Sequence, residues 1–297
     1  MLDTVTVVLE TTFRLLPSIL LAAFGGLVTQ RIKLTNLGLE GFMLIGAFVA
    51  AIASYYTGSP WIALLASCLV CAILGLIFAI LHLRYKADNV VVAVAINMFA
   101  LGMTSYLLNV LFGASGSFSS PKIVGFPIID LAFLENIPIL GAFAHQSIML
   151  YIAFGVVALT QIILFKTNLG LRIRATGPNP MAVETAGVNV FRLKCYVLMA
   201  SGVLCGMGGA YLSLGHLTMF ANNMTNGRGF IAMAASNFGS AMPIVTFAGA
   251  LIFGFADGIT MKAQLYGFPA QLVQMLPYVV TVLALVVLSA IKKAKKN

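Results

Sequence analysis

Charge is scarce in this chain: of 297 residues, 8% are charged and 61% hydrophobic. Globular domains carry roughly 25% charged residues, so a soluble fold is excluded. Histidine is limited to three residues and tryptophan to one. His82, His145 and His216 stand at the ends of apolar segments, while Ser115 lies in a Gly/Ser-rich GASG stretch. Serine proteolysis needs a histidine held against the serine, and that pairing is missing. Cys68, Cys71, Cys195 and Cys205 all fall inside apolar runs. Packing as small hydrophobes accounts for them, with no need of a metal or an oxidising compartment. No GxxxxGK[ST] sequence occurs, so the chain has no P-loop for ATP. The net charge of +9 does not point to nucleic acid, because the basic residues flank apolar segments and form no aromatic-interleaved stripe.

What remains is long apolar runs. ALLASCLVCAILGLIFAILHL (63–83) exceeds the roughly 20 residues that span a bilayer as a helix. Its continuity excludes the alternation of a membrane β-barrel. The expected fold is all-α, a single polytopic membrane domain over residues 1–297 with about 8–10 transmembrane helices. Segments are expected near 4–29, 38–57, 61–83, 89–112, 147–165, 194–214, a short 228–240, 244–262 and 272–291. The first run is too long, and too bare of preceding basic residues, for a cleaved leader. With Lys292, Lys293, Lys295 and Lys296 placed in the cytoplasm, thirteen of the 17 basic residues fall on that side. Only Arg14, Lys122, Arg228 and Lys262 are left over. The positive-inside rule thus predicts a cytoplasmic C-terminus and a cytoplasmic 167–194. The connection 114–146, with Asp130 and Glu135, then lies outside and suggests a short amphipathic helix near 128–136.

The longest polar interruption is TNLGLRIRATGPNPMAVETAGVNVFRLK at 167–194. Gly177-Pro178-Asn179-Pro180 breaks any helix there. Asn179 suits an N-cap, Pro180 a first turn and Gly187 a C-terminal stop, which predicts a helix of about two turns outside the bilayer.

Polar residues inside the apolar segments are few enough to name. Asn36 and Glu40 open the second segment. A carboxylate in lipid costs about 2.5–3.5 kcal/mol, so Glu40 needs a partner, a wet cavity or the interface. Asn97 lies near mid-membrane and either ties helices together or meets a polar solute. Segment 228–240 is too short to cross comfortably and ends in GSAMP, which suggests a discontinuous helix of the kind that lines transport pathways. Arg228 and Asn237 lie on it. NLGLEGF (36–42) and NGRGF (226–230) both open an apolar helix with a Gly-Phe pair, setting Gly41 against Gly229 and Glu40 against Arg228. Glu10 and Arg14 stand at i,i+4 and neutralise each other near the outer end of the first segment. Asp257 reads as an interface residue. The candidate translocation set is Asn36, Glu40, Asn97, Arg228 and Asn237.

Five stretches in order carry a family resemblance. They are GGLVTQRIKLTNLGLEGFMLIGAFVA (25–50), NVVVAVAINMFALG (89–102), the 167–194 stretch, RGFIAMAASNFGSAMP (228–243) and LPYVVTVLALVVL (276–288). The chain resembles the permease subunits of bacterial ATP-binding cassette (ABC) importers, in the branch serving ribose-type sugars, branched-chain amino acids and nucleosides. Within it, the likeness is strongest to the simple-sugar/nucleoside permeases. The resemblance implies a multi-pass subunit of the bacterial cytoplasmic membrane, surrounded by lipid and not itself an enzyme. Its implied partners are an ABC ATP-binding subunit, a second and distinct permease, and an extracytoplasmic substrate-binding lipoprotein. ATP and Mg would bind the partner ATPase, and no cofactor would bind this chain. The segment from Pro180 to Gly187 would be the ATPase-coupling helix, shaped or decorated by Gly177, Asn179, Ala182, Glu184 and Ala186. Transport would proceed by alternating access, with a nucleoside as solute or, alternatively, a simple sugar of ribose or galactose type. Ile231 replaces the acidic or hydroxyl residue common after the Gly-Phe pair, which takes weight from Arg228 and Asn237. An ion-coupled secondary transporter is the rival of a different class, and it would require a coupled carboxylate near mid-membrane.

Overall fold

The apolar runs fold as helices, two of which stop at the left-handed glycines Gly58 and Gly113. The protein is seen here as a computed structural model describing residues 2–130, 145–265, 275 and 279. Helix α1 spans Leu2–Arg31, α2 Leu39–Thr57, α3 Pro60–Ala79 and α4 Asn89–Phe112. Helix α5 follows at Ile148–Lys166, α6 at Asn168–Thr176, α7 at Pro180–Thr185 and α8 at Val190–Tyr211. The short α9 occupies Arg228–Phe238, and α10 Pro243–Leu265. Single π-helical turns extend α3 to Arg84 and α8 to His216. Among the described residues, seven helices are long and apolar enough to cross a bilayer: α1 to α5, α8 and α10. The seventh expected segment, 228–240, is α9 and does not span. The ninth, 272–291, and the C-terminal lysines lie outside the described residues.

Helices α1, α2 and α8 are the interior of the bundle, with α3, α9 and α10 packed around them. Small residues allow the approach. A side chain at Gly206 of α8 would meet Cys71 and the Ser67 carbonyl of α3, and one at Gly46 of α2 would meet the Gly206 backbone. Ser67 Oγ also donates to the Gly206 carbonyl at 2.9 Å. In lipid such close van der Waals contact, not a hydrophobic driving force, holds helices together. Hydroxyls buried in α1 bond back to their own helix: Ser18 to the Leu15 carbonyl and Thr29 to the Gly26 carbonyl, both at 2.8 Å. No buried polar cost is left at those positions.

The end of the bundle with the starts of α4 and α8 and the ends of α1, α3 and α5 carries most of the basic residues, and is called the basic end below. At the other end two short pairings close the loops. Strand β1 (Ser117–Phe118) pairs antiparallel with β4 (Phe220–Ala221), and β2 (Ile128–Asp130) with β3 (His145–Ser147). The helix expected near 128–136 is therefore corrected at its start. Ile128, Ile129 and Asp130 are extended, because Ser147, Gln146 and His145 offer a partner strand. Residues 131–136 lie outside the description. Tyr55, Phe112 and Phe118 cluster at this end, with the Lys122 ammonium 5.5 Å from the Tyr55 ring centre.

The small-residue seam makes a testable demand. Gly206→Leu should destabilise the protein by about 1–3 kcal/mol through overpacking. Gly155→Leu on α5, where a side chain meets open space, should be near neutral. Thermal unfolding in detergent compares them, and equal midpoints would contradict the packing described.

Candidate functional site

Glu40 sits where two helices begin. Asn36, four residues earlier, donates from Nδ2 to Ser201 Oγ at 3.1 Å, and its Oδ1 accepts the Gly38 N–H at 2.9 Å. Ser201 is eleven residues into α8, or about 16 Å from its basic end at 1.5 Å per residue. The chain thus leaves α1 at Arg31 and passes Asn89, the first residue of α4, whose Nδ2 donates to the Thr35 carbonyl at 2.6 Å. It starts α2 inside the bundle about 6 Å past that level, where a side chain at Gly38 would meet Ala93.

The second helix start is that of α9. After β4 the chain descends through Asn223, Asn226 and Gly227, all with positive φ (56°, 43° and 80°). Asn and Gly are the residues that tolerate this left-handed backbone. Helix α9 then runs to the basic end, where the Gln30 amide lies 2.8 Å from Ser236 Oγ and 2.6 Å from Asn237 Oδ1. Eleven residues make about 16 Å, so α9 crosses half a bilayer and α10 returns the whole way.

Between these two starts lies the Glu40 carboxylate. Oε1 accepts the Gly227 N–H at 2.8 Å and Oε2 the Gly229 N–H at 2.7 Å. Both donors belong to the first turn of α9, whose own geometry leaves them unpaired and whose dipole favours an anion. Only glycine fits at 229, since a Cβ there would strike the Glu40 backbone and carboxylate. Glu40 is buried, at 9% exposure, and therefore not interfacial. Its charge is met by backbone, not by Arg228.

Arg228 instead donates from Nε to Asp257 Oδ2 at 3.1 Å, with both side chains about 15% exposed. Asp257 is thus tied to α9 and not free at the interface. The Glu10–Arg14 pair is present but long, at 3.9 Å. Asn97 spans the break before α2: its Oδ1 accepts the Gly41 N–H at 2.8 Å, and its Nδ2 donates to the Leu37 carbonyl at 3.0 Å.

A cavity of about 300 Å³ opens beside this junction, among α2, α4 and α9. Glu40, Asn97, Asn223 and Phe230 line it, with Met98 and Leu101 at its rim. Small-molecule pockets run from about 300 to 1,000 Å³. Of the five candidate pathway residues, Glu40 and Asn97 line the cavity. Asn36 is buried behind it, Arg228 points to α10, and Asn237 is at the basic end. Asn223 and Phe230 were not among the candidates. The run of Asn and Gly at 222–229 was the signal for them.

At the basic end, 167–189 folds as two short helices. Thr167 Oγ1 caps α6 by accepting the Gly170 N–H at 3.1 Å, and Asn179 Oδ1 caps α7 by accepting the Ala182 N–H at 3.2 Å. Pro180 occupies the first turn of α7, and Gly187 ends it with φ +79°. Asn189 caps α8 in the same way, accepting the Arg192 N–H at 2.9 Å. Helix α6 was not anticipated, because its mixed polar sequence gave no clear period. Gly177 packs so closely on the Arg31 carbonyl that a Cβ would collide with it. The loop is thereby fastened to α1. On α7, Val183 is buried while Met181, Ala182, Glu184 and Thr185 face outward with Ala186, and Met181 is 78% exposed.

Comparison with known proteins fits this architecture. The family described as "Branched-chain amino acid transport system / permease component" matches residues 8–285. The guanosine ABC transporter permease NupQ of Bacillus subtilis is 35% identical over 90% of this chain and 87% of its own. The nucleoside ABC transporter permease NupC of Lactococcus lactis is 33% identical over the same shares. The glucose ABC transporter permease TsgB13 of Haloferax volcanii is 28% identical over 90% of this chain and 73% of its own. A solved ABC transporter in an inward-facing conformation shares the fold, with a TM-score of 0.51 at 17% identity and 96% coverage of both chains. A multi-pass bundle with a half-helix at its centre, matched end to end by transport permeases, belongs to the branched-chain amino acid transport permease family of ABC transporters.

Proposed function

We propose that this subunit imports a nucleoside by alternating access, driven by ATP hydrolysis in a partner. The observation that carries the reading is the likeness, over about nine-tenths of the chain, to permeases named for guanosine and nucleosides. The cavity beside Glu40 supports it. An uncharged solute with donors and acceptors suits the Asn97 and Asn223 amides, and a base suits the exposed Phe230 ring. The junction is also the place where a second permease would close the pathway, since Met98 and Phe230 leave its rim apolar and open. A sugar remains the second reading, favoured by the glucose permease relative.

Coupling would run through α7. With the basic end in the cytoplasm, the outward Met181 and Glu184 meet an ATP-binding subunit. Movement of α7 is passed to α6 and, through the Gly177 contact, to α1. No ATP, Mg or other cofactor is assigned to this chain. A binding lipoprotein on the far side would supply affinity, which leaves the cavity free to hold its solute weakly.

Three outcomes follow. Cells lacking their own nucleoside uptake but expressing the full transporter should accumulate labelled guanosine or another nucleoside, competed by nucleosides and not by glucose. Competition by sugars alone would favour the second reading, and uptake without the ATPase would favour ion coupling. Glu184→Arg should lower co-purification of the ATP-binding subunit and cut uptake about tenfold with an unchanged melting temperature. Undiminished co-purification and uptake would count against α7 as the docking helix. Glu40→Gln sets an amide NH2, a donor, against one of the two backbone donors and should cost about 1–3 kcal/mol, with uptake falling at least tenfold. A variant that melts and transports like wild type would remove the junction from the mechanism.

A further inference from the structure

At the basic end two arginines lack the acceptors that buried guanidinium groups normally hold. The guanidinium carbons of Arg31, at the end of α1, and Arg174, in the last turn of α6, lie 5.3 Å and 4.9 Å from the centre of one ring, Phe165. They are therefore within about 10 Å of each other. Among the described residues, Nε and Nη2 of Arg31 and Nε of Arg174 are buried without a hydrogen-bond partner. Charged donors left unmade in this way are costly. Among the described residues no carboxylate pairs with either arginine. Asp88 caps α4, and Glu184 faces outward on α7.

An apolar groove of about 520 Å³ begins beside them. Its lining includes Val28, one turn before Arg31; Leu164, next to Phe165; and Ile173, next to Arg174. Along α8 it extends from Leu193 to Met207. Fourteen steps of helix are about 21 Å, more than the roughly 15 Å of hydrocarbon in one leaflet.

We infer that this is a binding site for an anionic phospholipid, its phosphate between Arg31 and Arg174 and one acyl chain along the α5–α8 groove. Charge complementarity selects this occupant. The two guanidinium groups supply unmade donors, and the end of the bundle that holds them is otherwise basic, with Lys33, Lys166, Arg172 and Arg192. A zwitterionic lipid would bring a further cation to the cluster, and the groove has too few polar groups to fix a peptide. Basic pockets between transmembrane helices are known to take such headgroups. The bound lipid would join α1, α5 and α6 beneath α7 and so stiffen the loop. The site rests on the basic end bordering a membrane leaflet, and is independent of which solute is carried.

The test is lipid retention by the purified transporter complex. After exchange into micelles holding equal phosphatidylglycerol and phosphatidylcholine, native mass spectrometry should find one phosphatidylglycerol kept at least fivefold over phosphatidylcholine. Millimolar inorganic phosphate should not displace it. Arg31→Gln with Arg174→Gln should abolish the preference, whereas Lys166→Gln with Arg172→Gln should keep it. Ala200→Phe should fill the groove and reduce retention with both arginines in place. Equal retention of the two lipids by the wild type, which needs no variant to fold, would overturn the inference. So would full displacement by free phosphate, or undiminished preference in the double arginine variant.

Discussion

A carboxylate held by two backbone N–H groups in the middle of the bundle is the constraint on which the rest of this structure depends. Glu40 accepts from Gly227 and Gly229 at 2.8 Å and 2.7 Å. A buried charge is tolerated only when paired and hydrogen-bonded, and the start of α9 supplies both conditions. In return, α9 gains an anion at the end where its dipole needs one. Neither partner is stable at that depth without the other. This explains why α2 starts deep, why α9 is only half a membrane long, and why residue 229 must be glycine.

The other polar residues of the interior serve the same junction. Asn97 satisfies the backbone exposed by the break before α2, and Asn36 anchors that break to Ser201. Arg228, adjacent in sequence to both donors, is drawn away to Asp257 on α10. The half-helix is consequently held at its start to α2 and α10 and at its end to α1 through Gln30. A cavity forms beside such a junction because a half-helix that begins at mid-depth, as α9 does, cannot fill the space beyond its start. Transport pathways built on discontinuous helices use this geometry.

Much of this was legible from residues alone. Apolar runs gave the helices within a few residues, since length and continuity decide them. The caps on either side of Pro180 were readable because Asn179 and Gly187 act locally. The echo of NLGLEGF in NGRGF aligned Gly41 with Gly229 and Glu40 with Arg228 as sequence positions and predicted no contact between them. The contact that forms, from Glu40 to the Gly227 and Gly229 N–H groups, left no mark in the pattern. A helix N-terminus competes with an arginine for a carboxylate, and no sequence pattern records which is nearer. Depth was equally hidden. Seven residues between α1 and α2 look like a surface turn until Asn36 is seen bonding Ser201. Strands of two or three residues, such as Ile128–Asp130, depend on a partner distant in sequence and leave no period to detect.

The most direct test of the junction is hydrogen exchange at Gly227 and Gly229, read by mass spectrometry on peptides covering 222–231. The turn is rich in glycine and asparagine and would exchange within seconds if it were a free loop. Protection comparable to that of α2, lost at least tenfold in Glu40→Gln while peptides of α3 stay unchanged, is the expected result. Rapid exchange in the wild type, or protection indifferent to Glu40, would contradict a structure organised around that carboxylate.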